Sequence, residues 1–114
     1  MIYSVGSMRI RLALGLIIIS HVACAEVVSV RGRGEIDLRA FVCEYLSNSA
    51  IRRVCVDQDN QYMIVQLGSF FFHYCGVDTH QAYALIHAER PSKFFASEIK
   101  GRFSCGKGGW PQYN

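Results

Sequence analysis

Residues 51–75 read IRRVCVDQDNQYMIVQLGSFFFHYC. Three runs rich in β-branched and aromatic residues, Ile51 to Asp57, Tyr62 to Leu67 and Phe70 to Cys75, are separated by the turn-formers Asp59-Asn60 and Gly68-Ser69. This spacing predicts an antiparallel meander. Its register pairs Val56 with Met63, Val54 with Val65, Leu67 with Phe70, Val65 with Phe72 and Met63 with Tyr74. One face then carries Val54, Val56, Met63, Val65, Leu67, Phe70, Phe72 and Tyr74, all apolar or aromatic. A slip of one residue would destroy that sorting, because side chains alternate between faces. The other face is mixed: Arg53, Cys55, Asp57, Tyr62, Ile64, Gln66, Phe71, His73 and Cys75.

Downstream the period changes. Asp78 or Thr79 can cap a helix running to about Glu89, with Ala82, Leu85 and Ile86 at helical spacing. Pro91 interrupts it, and Ser92 can cap a second helix that sets Phe95 and Ile99 one turn apart. Upstream, Arg39-Ala40-Phe41-Val42-Cys43 reads as a further strand segment and Leu46-Ser47-Asn48-Ser49 as a turn, while Glu26 to Arg33 reads as a polar lead-in. The expected fold is α+β: a small three-stranded antiparallel meander with two short helices packed on one face, and N- and C-terminal segments stapled by disulfides.

The N-terminus has the order of an export signal. Arg9 and Arg11 precede the apolar run Leu12 to Ile19, and Ala23-Cys24-Ala25 supplies the small-x-small cleavage site. The run is about half of the ~20 apolar residues that a membrane-spanning helix needs, so no membrane anchor is expected after cleavage. Met8 stands directly before the arginines and is an alternative start to Met1. Cleavage after Ala25 leaves Cys43, Cys55, Cys75 and Cys105, an even number that in a short exported chain implies two disulfides. Cys55 and Cys75 fall on the first and third strands of the meander, about 9.6 Å apart. A disulfide wants Cα atoms within about 7 Å, which excludes that pair and Cys43–Cys105 with it. Two connectivities remain. Cys43–Cys55 with Cys75–Cys105 is favoured, because Cys43 and Cys55 are symmetric about the turn near Ser49.

Charge divides the exported part. Glu26 to Glu89 holds five basic and eight acidic residues, whereas Arg90 to the end holds five basic and one acidic. A basic end of five charges is read as a solvated face and tail. No catalytic or metal constellation is expected, and no cofactor. His80 and His87 would sit about 10 Å apart along a helix, too far to share a metal. Asp57-Gln58-Asp59-Asn60 opens like a calcium loop, but Tyr62 stands where glycine is needed and Gly68 where the bidentate glutamate belongs. His73 and Cys75 share a strand face about 7 Å apart, too far for thiol activation. Arg53, Tyr62, Phe71 and His73 on the mixed face are the candidate binding surface, with terminal segments that could instead cover them.

Residues 49–103 resemble the KTSC domain, a small family of unknown function named after the C-terminus of some lysyl-tRNA synthetases. The resemblance rests on Ser49-Ala50-Ile51, on the aspartate-ended strand Val54-Cys55-Val56-Asp57, and on Phe72-His73-Tyr74-Cys75-Gly76-Val77 against a tyrosine-x-tyrosine-x-Gly-Val signature. It continues through Phe94-Phe95 and Ile99-Lys100-Gly101-Arg102-Phe103. Phe72 departs from the signature's first tyrosine, Arg90-Pro91-Ser92 from a serine-x-glycine, and Ala96 from an asparagine. The cysteines mark an exported variant. The resemblance implies the suggested RNA binding only loosely.

The chain is thus read as signal peptide 1–25, N-terminal extension 26–48, KTSC-like domain 49–105 and flexible tail 106–114, with Trp110 as a staple back to the core. The expected function is a non-catalytic binding module, periplasmic or secreted, whose partner is an unknown protein or ligand of that compartment. A nucleic-acid-binding module is the second reading and a small enzyme the last. Mass spectrometry of the exported protein should find Glu26 as its first residue; a lipid-modified Cys24, or retained Arg9 and Arg11, would show the cleavage site to be misplaced.

Overall fold

The computed structural model describes residues 26–47 and 49–113; the expected signal peptide 1–25, with its cleavage-site residues Ala23 and Ala25, lies outside the described residues. The elements are β1 (Val27–Val30), β2 (Gly34–Asp37), a 3-10 turn (Leu38–Ala40), β3 (Val42–Tyr45), β4 (Ile51–Asp57), β5 (Tyr62–Leu67), β6 (Phe70–Cys75), α1 (Thr79–Ile86) and α2 (Pro91–Phe94), which runs on into a π-helical turn (Phe95–Ile99).

The meander β4–β5–β6 has every expected pair, from Val56↔Met63 and Val54↔Val65 to Val65↔Phe72 and Met63↔Tyr74, and the register shifts only at the start of β4, between Ile51 and Arg53. Gly68, at φ 61°, makes the two-residue turn into β6. The β4–β5 loop is longer than the expected pair Asp59-Asn60, because Asp57 pairs with Tyr62, and Gln61 takes a left-handed φ of 49° to close it.

The sheet does not stop at three strands. It has six, in the order β2-β1-β6-β5-β4-β3, all antiparallel except β1 against β6. The expected three-stranded meander is therefore corrected to a curled, mixed six-stranded sheet. The missed strands lie in the extension: the buried Val28 and Val30 alternate with the exposed Val27 and Ser29 in β1, Gly32 at φ 83° turns the chain, and Ile36 and Leu38 continue the buried side. β1 meets β6 only at Val30↔Phe71, with the Arg31 amide donating to the Phe71 carbonyl at 2.8 Å. Beyond that point the β1–β2 hairpin folds over the mixed face.

The result is three layers around two cores. On one side, α1, α2 and the π-helical turn set Ala82, Leu85, Phe95 and Ile99 against Val54, Val56, Met63, Val65 and Tyr74. Asp78 caps α1 by accepting from the Gln81 amide at 2.8 Å. Pro91 takes the first helical position of α2, so Ser92 lies inside the helix instead of capping it. On the other side, Val28, Val30, Ile36, Leu38 and Phe41 pack against Cys55, Tyr62 and Ile64. β4 and β5 are covered on both faces, as their near-continuous burial shows.

Both disulfides fall between consecutive cysteines. Cys43–Cys55 joins directly opposed residues of β3 and β4 at a Cα separation of 4.0 Å, and Cys75–Cys105 ties the end of β6 to the C-terminal segment at 4.8 Å. On the loop-entropy model they contribute about 3 and about 4 kcal/mol.

If the mixed face is a true core, truncating it should be as damaging as truncating the helix side. Ile64→Ala and Leu85→Ala, both at fully buried positions, should each cost about 2–5 kcal/mol in chemical denaturation. A loss below about 1 kcal/mol for Ile64→Ala would indicate a two-layer domain with an open second face.

Candidate functional site

The candidate surface named from sequence lies under the hairpin and the tail. Arg53 is buried: its guanidinium donates to both carboxylate oxygens of Glu26 at 2.8 and 2.9 Å and to Gln66 Oε1 at 3.2 Å, between the rings of Tyr45 and Phe71. The hydrogen bonds from Arg53 hold the Glu26 carboxyl below its ordinary pKa. Tyr62 is fully buried, and its hydroxyl shares a hydrogen bond of 2.6 Å with His73 Nδ1. His73 is half-buried, with the Trp110 ring on its other side, and Phe71 is half-buried against the second core. The structure thus brings all four to one face but presents no open platform.

The groups that cover them were not singled out from sequence. Arg33, in the β1–β2 turn, lies over the rings of Tyr62, Trp110 and Tyr113 and donates to the Pro111 carbonyl. Tyr113 donates to Asp57 Oδ2 at 2.5 Å, and Asn60 Nδ2 donates to the same oxygen at 2.7 Å. Burial pushes the Asp57 carboxyl up, but the bonds from Asn60 and Tyr113 outweigh it and leave the pKa lowered. Burial, then the bond to Asp57, pushes the Tyr113 hydroxyl well up. Trp110 staples back as expected, its indole N–H donating to the Cys105 carbonyl at 3.1 Å. Apart from Arg33 Nη1, which is buried without a hydrogen-bond partner, these groups bond to one another or to the nearby backbone, as a polar core requires.

An open concavity lies at the opposite corner. A groove of about 520 Å³ runs between α1 and the β3 edge of the sheet. Its floor is Val42, Val56, Ala82 and Ile86, Tyr83 and His87 stand along the α1 side, and the exposed Glu44 and Asp59 form the rim, with the buried Asp57 at the end of β4. Val42 and Tyr83 are both more than half exposed, and the Tyr83 and His87 rings stack 4.0 Å apart. The sequence did carry a signal for it. Ala82 and Leu85 face the core, and Ile86, Tyr83 and His87 continue that surface around α1, an arc wider than packing on one sheet face requires.

The KTSC domain family model matches residues 47–103, half of the chain. The chain belongs to the KTSC domain family. No curated protein and no solved structure matches it. The KTSC match takes in β4–β6, both helices and the π-helical turn, and leaves β1–β3 and the tail outside. Two of its sequence pieces meet in space: Ser49 Oγ accepts from the Ile51 amide and lies 3.1 Å from Ser92 Oγ. The groove joins the KTSC half, through Val56 to Asp59 and Thr79 to His87, with Ala40, Val42 and Glu44 of the extension.

Burial first, and the Arg33 charge second, lower the His73 pKa below 6.5. The unfolded chain therefore binds this proton at a higher pH than the folded one. Its share of stability is complete above about pH 6.5 and falls as the pH drops through the folded-state value. Denaturation midpoints should decline as the pH falls below about 6.5. His73→Gln, which keeps an acceptor for Tyr62 but takes up no proton, should flatten that slope. An equally steep profile in the variant would assign the slope to other groups.

Proposed function

We propose that this KTSC domain protein is a non-catalytic interaction module of an exported compartment, and that the groove between β3 and α1 is where it holds its partner. One observation carries the reading. Among the described residues, this groove combines an apolar floor, exposed side chains and a volume within the roughly 300–1,000 Å³ range of binding clefts. The residues best suited to acid–base work, His73 and Tyr62, bond each other beneath the tail, and this supports binding over catalysis. Arg53, Tyr62, Phe71 and His73 lie covered, which favours a protein contact in the groove over a stacked nucleic acid on that face. Two intramolecular disulfides are compatible with an oxidising compartment, and the Arg9–Ala25 segment supports export.

The test places a photo-crosslinking residue at Tyr83 on the groove wall, and separately at the exposed Glu35 of β2, in cells that make the protein. The expected outcome is one discrete adduct from position 83 and none from position 35. Equal adducts from both positions, or none from position 83, would refute the groove as the contact.

A further inference from the structure

The outer wall of the groove is a strand edge, and its hydrogen-bonding geometry can be worked out. In antiparallel pairs, directly opposed residues alternate between hydrogen-bonded pairs about 5.5 Å apart at Cα and non-bonded pairs about 4.5 Å apart. Cys43 and Cys55 stand at 4.0 Å, so theirs is a non-bonded pair. Tyr45↔Arg53 shares that phase two residues on, while Val42, Glu44 and Leu46 hold the bonds to β4, as the 3.0 Å bond from the Leu46 amide to the Arg52 carbonyl shows. The N–H and C=O groups of Cys43 and Tyr45 therefore point away from β4. Among the described residues, β3 has no other neighbour in the sheet. The disulfide holds this edge in register, and the exposures of Val42 and Tyr45 are both 71%.

We infer that β3 is a template for strand addition, a proposal that rests on the groove being the contact site. The occupant is an extended segment of a partner protein carrying a Lys or Arg two residues from an apolar side chain. It bonds Cys43 and Tyr45 through its backbone. Its apolar side chain opposite Val42 enters the groove over Val56, Ala82 and Ile86, and its basic side chain lies opposite Glu44. The spacing of two follows from the pleat, since Val42 and Glu44 share a face. The charge follows from the rim: the exposed carboxylates of Glu44 and Asp59 line the groove, with no Lys or Arg among the lining residues. A second copy of this chain fits less well. The two-fold pairing that uses both Cys43 and Tyr45 centres on Glu44 and sets the two Glu44 carboxylates opposite each other, which is destabilising.

The experiment selects displayed random heptapeptides on the oxidised protein and measures a selected peptide by fluorescence polarisation. Enrichment of a basic residue two positions from an apolar one is expected. Tyr45→Pro removes one outward N–H while sparing the bonds to β4, and proline is tolerated on an edge strand; it should raise Kd at least tenfold. Glu44→Lys should do the same for the basic peptide. In the unsubstituted protein, the Cys43 and Tyr45 amides should gain protection from hydrogen exchange on peptide addition, a readout that stands even if a variant fails to fold. No enrichment of that spacing, unprotected amides, or Tyr45→Pro binding within twofold of the parent would overturn strand addition. If Tyr83→Ala still weakens binding in that case, the groove stands without the strand; if it does not, both fall. A dimer dispersed by the selected peptides would assign the edge to a second copy and overturn the proposal.

Discussion

Only four residues, Leu38 to Phe41, separate β2 from β3, yet these two strands are the opposite edges of the sheet. Across a flat sheet of this order the edges would stand five strand spacings apart, about 24 Å. Four linking residues reach roughly 17 Å fully extended, and three of these form a compact 3-10 turn. The sheet must therefore curl until the extension crosses its mixed face. The rest follows from that tether. Leu38 and Phe41 are drawn into the second core, Glu26 arrives over Arg53 on β4, and the Arg33 turn is carried to Tyr62, where the tail closes over it.

The meander was legible because its information is local. Each strand meets its neighbour through a loop of two or four residues, and the apolar alternation admits one register. The disulfide pairing was legible on local grounds too: the register excluded Cys55–Cys75, and of the two connectivities left, the symmetry of Cys43 and Cys55 about the turn near Ser49 favoured the one found. What was not legible was the fate of the mixed face. In sequence Arg53, Asp57, Tyr62 and His73 look like a surface, because each is polar and its partners are distant. Glu26 lies 27 positions from Arg53, and Tyr113 lies 56 from Asp57. A buried polar group is acceptable once satisfied, and nothing in the pattern of one strand announces which remote residue will satisfy it. β1 and β2 were hidden for a related reason: at four residues each, with glycines and charges between, their alternation is too short to stand above a polar lead-in.

The groove was missed because it belongs to neither half of the chain alone. The KTSC half supplies a helix face and the end of β4, and the extension adds a strand beside them. β4 would itself be the rim of the meander. β3 covers it, and the exposed edge moves outward by one strand, to a segment bearing Val42 and Tyr45 and held by a covalent bond. A rigid edge beside an apolar trough has little conformational entropy of its own to lose when a partner segment binds. The polar core and the groove are also linked through Asp57, which lines the groove while accepting from the tail's Tyr113.

The pairing of consecutive cysteines bears on how such a chain is made. Among the four cysteines of the described residues, first joins second and third joins fourth, across 12 and 30 positions. In a chain that emerges N-terminus first, the opening pair has met its partner before the later two thiols are exposed. Each bridge can then be formed once and left in place by a simple oxidant. Interleaved pairs would instead pass through mispaired intermediates that require a disulfide isomerase to undo, over seconds to hours. The order of the cysteines thus makes biosynthesis of this protein largely independent of isomerase supply.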